Sequence, residues 1–150
     1  MKLILLRHGE AGFDAPCDEE RALTVNGIGR LQFMLHSAAD ELSGLRRVVH
    51  SPYLRTQQTA ALVKGVVAQA SLEPLELLVP ESRPQAVIDW LTRQSSDVLL
   101  LVTHQPLIGM LVSLLCEGDL SRPEAMLPGA MAVIDLEFPA AGLGRLLKQY

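Results

Sequence analysis

Several short stretches of this chain are apolar from end to end, and they constrain the fold more than any other feature. Residues 3–6 read LILL and residues 98–102 read VLLLV, with no polar residue at alternate positions. Strands of this composition are buried on both faces, which is the environment of a parallel sheet covered by helices. We therefore expect an α/β fold.

Strand-like runs alternate along the chain with longer segments of helical period. We predict strands at Lys2–Leu6, Arg46–His50, Leu75–Leu78 and Asp97–Val102. We predict helices at Gly27–Leu42, Pro52–Val67, Pro84–Arg93 and Pro106–Cys116. This order predicts a three-layer sandwich of helices around a mostly parallel central sheet.

The C-terminal part of the chain breaks this alternation. Residues 130–138 (AMAVIDLEF) and 143–150 (LGRLLKQY) both have the pattern of strands, and only the turn-like PAAG separates them. Strands joined by a short turn pair antiparallel, so we expect an antiparallel edge near the C-terminus. No repeat, charge block or low-complexity linker divides the chain, and we expect a single domain over residues 1–150.

Composition argues against several classes of partner. The net charge is −4, so the chain as a whole does not attract nucleic acid or an anionic membrane. Cys17 and Cys116 form no C-x-x-C pair and have the character of reduced cysteines. The apolar stretch at residues 106–116 is shorter than the ~20 residues of a membrane span. We expect a cytoplasmic monomer that binds neither nucleic acid nor membrane.

Three of the predicted strands are followed by residues suited to phosphate chemistry. Arg7 and His8 follow the first strand, Arg55 lies one turn into the helix after the second, and His104 follows the fourth. The carboxyl ends of parallel strands share one edge of a sheet, so these residues should meet there. Arginine forks match phosphate oxygens, and an imidazole can attack phosphorus to form a covalent phosphohistidine. The sequence predicts a phosphate pocket.

The segments around these residues resemble the histidine phosphatase superfamily, also called the phosphoglycerate mutase-like family. The resemblance lies in LLRHGE, in the S-P-x-x-R-x-x-Q-T pattern of HSPYLRTQQT, and in VTHQP, which occur in family order. The short length, RHGEAGFDAPCDEERALT and THQPLIGML are most similar to the SixA-type phosphohistidine phosphatases. The resemblance implies an enzyme that removes phosphate from a histidine-containing phosphotransfer domain in a signalling relay.

The resemblance also implies a role for each matched residue. His8 would be the nucleophile that forms a covalent phosphohistidine, with its second ring nitrogen held by a backbone carbonyl. Arg7, Arg55 and His104 would bind the phosphoryl group and stabilise its charge. Gly9, the last residue of the R-H-G triplet, would lie against the same phosphate.

Four further residues keep two interpretations each. Asp14 lies where mutase-type members carry Asn, and it either approaches the phosphate or is exposed to solvent. Asp18 and Arg21 either line the mouth of the pocket as substrate-binding groups or are ordinary loop charges. Glu81 is the nearest candidate for a general acid, or it is a solvated loop carboxylate. A phosphohistidine substrate needs less proton donation than an ester, because imidazole is the better leaving group.

Two other functions remain open from the sequence. A phosphatase of small phosphate monoesters would use the same chemistry, and a non-catalytic module would hold a phosphorylated protein without turning it over. Cys116 and Arg122 match C-x5-R, a signature of cysteine phosphatases, but Cys116 ends an apolar helical run, so we attribute the match to chance. The histidine spacing is not typical of a metal site, and we predict neither a metal nor a cofactor.

Overall fold

One six-stranded sheet runs through the computed structural model, which describes residues 1–150. The strands are β1 (Lys2–Arg7), β2 (Arg47–His50), β3 (Ser71–Pro74), β4 (Val98–Thr103), β5 (Met131–Leu136) and β6 (Gly144–Gln149). Their order across the sheet is β3-β2-β4-β1-β5-β6, and the first four of these positions are parallel. β5 pairs antiparallel with β1, and β6 pairs antiparallel with β5. The predicted antiparallel edge is confirmed.

Four helices cover the two faces of the sheet. They are α1 (Val25–Ser37), α2 (Leu54–Val66), α3 (Pro84–Leu91) and α4 (Leu107–Glu117). Successive residues of β1 alternate between two cores: Leu3 and Leu5 pack with α3 and α4, whereas Ile4 and Leu6 pack with α1 and α2. All four side chains are fully buried, and such burial contributes about 2 kcal/mol each relative to exposure. The predicted three-layer sandwich is confirmed.

The prediction of a strand at Leu75–Leu78 is wrong. The strand lies at Ser71–Pro74, and Glu76–Leu78 forms a short 3-10 helix in which Leu78 is fully buried. β3 is at the edge of the sheet and pairs only with β2, so it needs few apolar residues and tolerates a proline at its end. The apolar run marks the segment that packs into the core after the strand has ended.

The most apolar helix, α4, has eight of its eleven residues buried. It ends at Gly118, whose φ of 73° is a left-handed conformation that favours glycine. Cys116 lies inside this helix, so its match with Arg122 lacks the strand, loop and helix that a cysteine phosphatase needs. None of the helices combines the length and the apolar composition that a membrane crossing requires.

The segment between β1 and α1 is a loop that is closed at its base. Ala11 and Leu23 form an isolated antiparallel bridge, and the Leu23 N–H donates to the side-chain oxygen of Gln58 on α2 at 2.8 Å. At its far end, Asp18–Glu20 form a single turn of 3-10 helix with no buried residue. We call residues 11–23 the rim loop, because it borders the carboxyl ends of the strands.

The start of α1 is pressed against the chain that leaves β1. Thr24 caps the helix by accepting a hydrogen bond from the Gly27 N–H at 2.9 Å. A β-carbon on Gly27 would collide with the backbone oxygen of Glu10, so this contact requires glycine. The close approach fixes the path of the residues that follow β1.

Candidate active site

Three neighbouring strands bring the predicted residues to one edge of the sheet. Arg7 ends β1 and His8 follows it, and His104 follows β4, which lies beside β1. β2 lies on the other side of β4 and leads into α2, whose first turn carries Arg55. The Nε of Arg55 is 3.3 Å from Nε2 of His8, and the His8 and His104 rings have centroids 5.0 Å apart. These residues form one cluster at this edge of the sheet, and we call the space between their polar atoms the pocket.

The imidazole of His8 is held as one tautomer. Nδ1 lies 2.7 Å from the carbonyl oxygen of Gly9, which can only accept, so Nδ1 carries the proton and the unprotonated Nε2 accepts from Nε of Arg55. Burial above all, and then the charges of Arg55 and Arg7, lowers the pKa of His8 to about 4, although the hydrogen bond to Gly9 opposes them. The ring is therefore neutral at pH 7, which is the form that can act as a nucleophile.

His104 is also buried and neutral. Its Nε2 lies 2.8 Å from the hydroxyl of Ser51, and the Tyr53 N–H donates to that same hydroxyl at 3.3 Å. We assign the ring proton of His104 to Nδ1, an assignment in which the Ser51 hydroxyl accepts from Tyr53 and donates to Nε2. Burial above all, and then the charge of His8, lowers the pKa of His104 to about 3. Nδ1 is buried and has no partner in the protein.

The two arginines of the pocket are anchored differently. Arg55 is 3% exposed, and its Nη1 and Nη2 donate to the backbone oxygen and the carboxylate of Asp18 at 2.6 and 3.1 Å. Arg7 donates from Nη1 to the backbone oxygen of Met126 at 2.6 Å, and its Nε is buried without a partner. Burial, and then the charge of Arg55, lowers the pKa of Arg7.

These groups suit an oxyanion. Arg7, Arg21 and Arg55 bring three positive charges and Asp18 brings one negative charge, which leaves a local excess of two positive charges. A buried donor without an acceptor costs about 1–3 kcal/mol, and phosphate oxygens would supply acceptors for the free N–H groups of Arg7 and His104. No cluster of three or more His, Cys, Asp or Glu side chains is arranged to hold a metal ion.

The remaining predicted residues fall in different places. Asp14 is exposed and makes no hydrogen bond or ion pair. Asp18 and Arg21 form an ion pair at 3.0 Å in the rim loop, and Asp18 continues from there to Arg55. Glu81 is exposed and unpaired, and after burial its charge is the next cause of the raised pKa of Tyr53.

Gly9 acts through its backbone. Its carbonyl oxygen holds Nδ1 of His8, and its N–H donates to the hydroxyl of Thr59 at 3.2 Å. Thr59 in turn donates to the backbone oxygen of Arg55 at 2.7 Å. Both backbone groups of Gly9 therefore hold His8 against α2.

Four residues that shape the site are not among the residues predicted from the sequence. Ser51 and Thr59 are letters of the S-P-x-x-R-x-x-Q-T pattern, so their signal was available. Tyr53 fills an unspecified position of that pattern, and its ring lies 4.9 Å from the ring of His104. Met126 holds Arg7 through a backbone oxygen, for which a side-chain pattern gives no signal.

Known proteins are similar to this chain in both sequence and fold. No protein-family model matches the chain. The phosphohistidine phosphatase SixA of Escherichia coli K12 is 32% identical over 141 residues, which cover 91% of this chain and 86% of that protein. The chain belongs to the SixA-type histidine phosphatases. A solved structure of the protein histidine phosphatase SixA complexed with tungstate has a TM-score of 0.85 and 31% identity, and covers 99% of this chain and 96% of that one.

The SixA-type assignment agrees with the wider fold family. A phosphoglycerate mutase from Plasmodium falciparum has a TM-score of 0.73 at 18% identity, and covers 98% of this chain and 88% of its own. That likeness concerns the fold alone. The resemblance to SixA-type histidine phosphatases and the phosphoglycerate mutase-like fold, both expected from the sequence, are confirmed.

Proposed function

We propose that this chain is a phosphohistidine phosphatase that works through a covalent phospho-His8 intermediate. One observation carries the proposal: the Gly9 carbonyl fixes the proton on Nδ1 of His8, which leaves an unprotonated Nε2 that accepts a hydrogen bond from Nε of Arg55. Two relatives named phosphohistidine phosphatase support it. So does the SixA structure that holds tungstate, because tungstate is a tetrahedral oxyanion like phosphate.

In the first step, Nε2 of His8 attacks phosphorus, and the bond between phosphorus and the substrate imidazole breaks. Arg7, Arg55 and the N–H of His104 stabilise the charge on the phosphoryl oxygens. The substrate ring, protonated on its other nitrogen, leaves as neutral imidazole and so needs little help from an acid. This suits a pocket whose carboxylate, that of Asp18, stays ionised, because its hydrogen bonds with Arg21 and Arg55 lower its pKa although burial opposes them.

In the second step, water attacks the phosphorus of phospho-His8. The bond between phosphorus and Nε2 breaks, inorganic phosphate leaves, and the lone pair returns to Nε2. The bond from Nδ1 to Gly9 persists through both steps, so the ring keeps its orientation between attack and release.

We assign the substrate to a phosphohistidine on a protein, of the kind that histidine-containing phosphotransfer domains carry. Between β3 and β4 the chain has only the eight-residue α3 and one short 3-10 helix. This segment therefore supplies no inserted helices that would cover and enclose a small phosphate ester. The enzyme acts as one domain in the cytoplasm, without a metal or a cofactor.

The test compares the wild type with His8→Ala and, as a matched control, His36→Ala. His36 is exposed on α1, and its ring contacts only the backbone oxygen of Gln32. The substrates are a ³²P-labelled phosphotransfer domain and a panel of phosphate monoesters. We expect rapid loss of phosphohistidine, slow ester hydrolysis, and a loss of at least about a thousandfold in His8→Ala, because that change removes the nucleophile.

A second measurement looks for the intermediate itself. Wild type and His36→Ala should acquire an acid-labile ³²P label, whereas His8→Ala should acquire none. Full activity of His8→Ala would overturn the role of His8. Rapid ester hydrolysis with little loss of phosphohistidine would move the function to small phosphate esters, and stable binding of the phosphorylated domain without turnover would make the chain a binding module.

A further inference from the structure

The rim loop presents a carboxylate to the arginine that contacts the nucleophile. We infer that Asp18 is a positioning residue. It holds Nη1 and Nη2 of the Arg55 guanidinium, so that the edge that carries Nε faces the phosphoryl group. The inference rests on the proposed function, because it names how one phosphate-binding group of that site is aimed.

The guanidinium of Arg55 has two edges with different partners. A guanidinium carries five N–H groups in one plane, so each edge presents a fixed pair of donors. Asp18 occupies the end edge, with its backbone oxygen 2.6 Å from Nη1 and its carboxylate oxygen 3.1 Å from Nη2. Nε, on the side edge, points to Nε2 of His8 at 3.3 Å. The side edge is therefore the one beside the atom that attacks phosphorus.

Asp18 is itself held in place. Its other carboxylate oxygen accepts from Nη1 of Arg21 at 3.0 Å. Arg21 donates from Nε to the backbone oxygen of Gly12 at 2.8 Å, and its guanidinium carbon lies 4.0 Å from the ring centre of Phe13. The side chain of Asp18 is half exposed, whereas that of Arg55 is almost fully buried. The rim-loop backbone thus holds Arg21, Arg21 holds Asp18, and Asp18 holds the buried guanidinium of Arg55.

The same contacts argue against Asp18 as a substrate ligand. Both of its carboxylate oxygens already accept hydrogen bonds from guanidinium groups. An ionised carboxylate also repels a phosphate dianion, so direct contact would weaken binding. A residue that acts through Arg55 should affect turnover, whereas a residue that binds the substrate should affect KM.

The experiment compares Asp18→Ala and Asp18→Asn with Glu20→Ala, which removes an exposed and unpaired carboxylate from the same turn. We expect kcat of Asp18→Ala on the phosphorylated domain to fall about ten- to a hundredfold, because a misaimed donor costs much of its effect. KM and the Kd for tungstate should stay the same or fall. Asp18→Asn keeps an acceptor and should recover most of kcat, and Glu20→Ala should match the wild type.

A double substitution tests whether Asp18 acts through Arg55. In an Arg55→Ala background, adding Asp18→Ala should change kcat by less than about twofold, since a positioning group has nothing left to position. Independent, multiplied effects would overturn the inference. A KM raised about tenfold with kcat unchanged would also overturn it, and would make Asp18 a substrate ligand.

A readout without substrate separates this inference from the proposed function. The Nε–H resonance of Arg55, assigned by its loss in Arg55→Lys, should be sharp in wild type and in Glu20→Ala. It should broaden or vanish in Asp18→Ala. An unchanged resonance in Asp18→Ala refutes the positioning role whatever the enzyme hydrolyses, while a wild type inactive on phosphohistidine refutes only the proposed function.

Discussion

Two arginines of the pocket have different surroundings: Arg55, which we call the α2 wall, and Arg7, which we call the β1 wall. On the α2 wall, Arg55 is paired with a carboxylate, and its three nitrogen atoms all have partners inside the protein. On the β1 wall, Arg7 has one backbone oxygen as a partner, a buried free Nε and no ion pair. The two guanidiniums have the same chemistry, but their surroundings differ.

We therefore expect the two walls to have different roles, the α2 wall orienting donors and the β1 wall attracting the phosphate. The α2 wall is complete before a ligand arrives, so it supplies geometry at little cost in reorganisation during the reaction. The β1 wall keeps positive charge that no carboxylate balances, so we expect it to attract a phosphate. Nδ1 of His104, the other buried donor without a partner, adds a neutral contact of the same kind.

The largest expected effect is a split between turnover and binding. We expect Arg55→Ala to reduce kcat about a thousandfold and Arg7→Ala about a hundredfold, since loss of one such donor group costs about 10²–10³. The Kd for tungstate should rise more in Arg7→Ala, because the unbalanced charge attracts the anion. Steady-state kinetics and calorimetry measure both, with the exposed Arg30→Ala as the control. Equal changes in kcat and Kd in both variants would remove the distinction.

A second expected effect concerns the histidines between the walls. The pKa values of His8 and His104 are about 4 and about 3 in the folded protein, below the ordinary 6.5. As pH falls below 6.5, the unfolded chain binds protons that the folded chain does not, so the free energy of unfolding decreases. The slope is up to about 1.4 kcal/mol per pH unit for each histidine until its folded pKa is reached.

Denaturant unfolding between pH 4 and pH 8 checks this dependence. His8→Ala should lose about half of the slope between pH 6 and pH 5, and His36→Ala should keep it all. Arg7→Met should make the slope shallower near pH 4, because Arg7 is one of the charges that lower the pKa of His8. A slope that is the same in His8→Ala and wild type would show that His8 is not held neutral.

The smallest expected effect is a difference in stability. Arg7→Met replaces a partly buried, unpaired charge by an apolar chain of similar length, and should raise stability by about 1 kcal/mol, or about 2–4 °C in Tm. Arg55→Met breaks an ion pair in which Arg55 is the buried partner, and should leave Tm unchanged or lower it. Thermal unfolding at pH 7 measures both. A rise in both variants would mean that the pairing with Asp18 contributes nothing to stability.

The sequence predicts the strands and the site best where burial and chemistry leave a pattern in neighbouring residues. The apolar runs placed β1 and β4, and the polar residues directly after them placed Arg7, His8 and His104 at one edge. β3 escaped prediction because an edge strand needs little apolar surface, while the leucines after it pack into the core without joining the sheet.

Other features depend on contacts that no local pattern records. Ser51 was visible in its motif, but its bond to His104 joins residues 53 positions apart in sequence. Met126 contributes a backbone oxygen 119 residues away from Arg7. From the sequence, Asp18 is either a substrate-binding group or a solvent-exposed loop charge. Neither interpretation predicts that this half-exposed carboxylate pairs with a buried arginine.

The rim loop divides two properties between its ends. Its base, fixed by the Ala11–Leu23 bridge and by Gln58, belongs to the scaffold, whereas Asp18 lies at a tip with no buried residue. Exposed residues of the tip other than Asp18 can therefore be exchanged with little risk to folding, whereas Asp18 pairs with the buried charge of Arg55. With Asp18 in the positioning role that we infer, evolution and protein engineering would adjust the rate of this enzyme in one exposed turn while the rest of the chain is inherited unchanged.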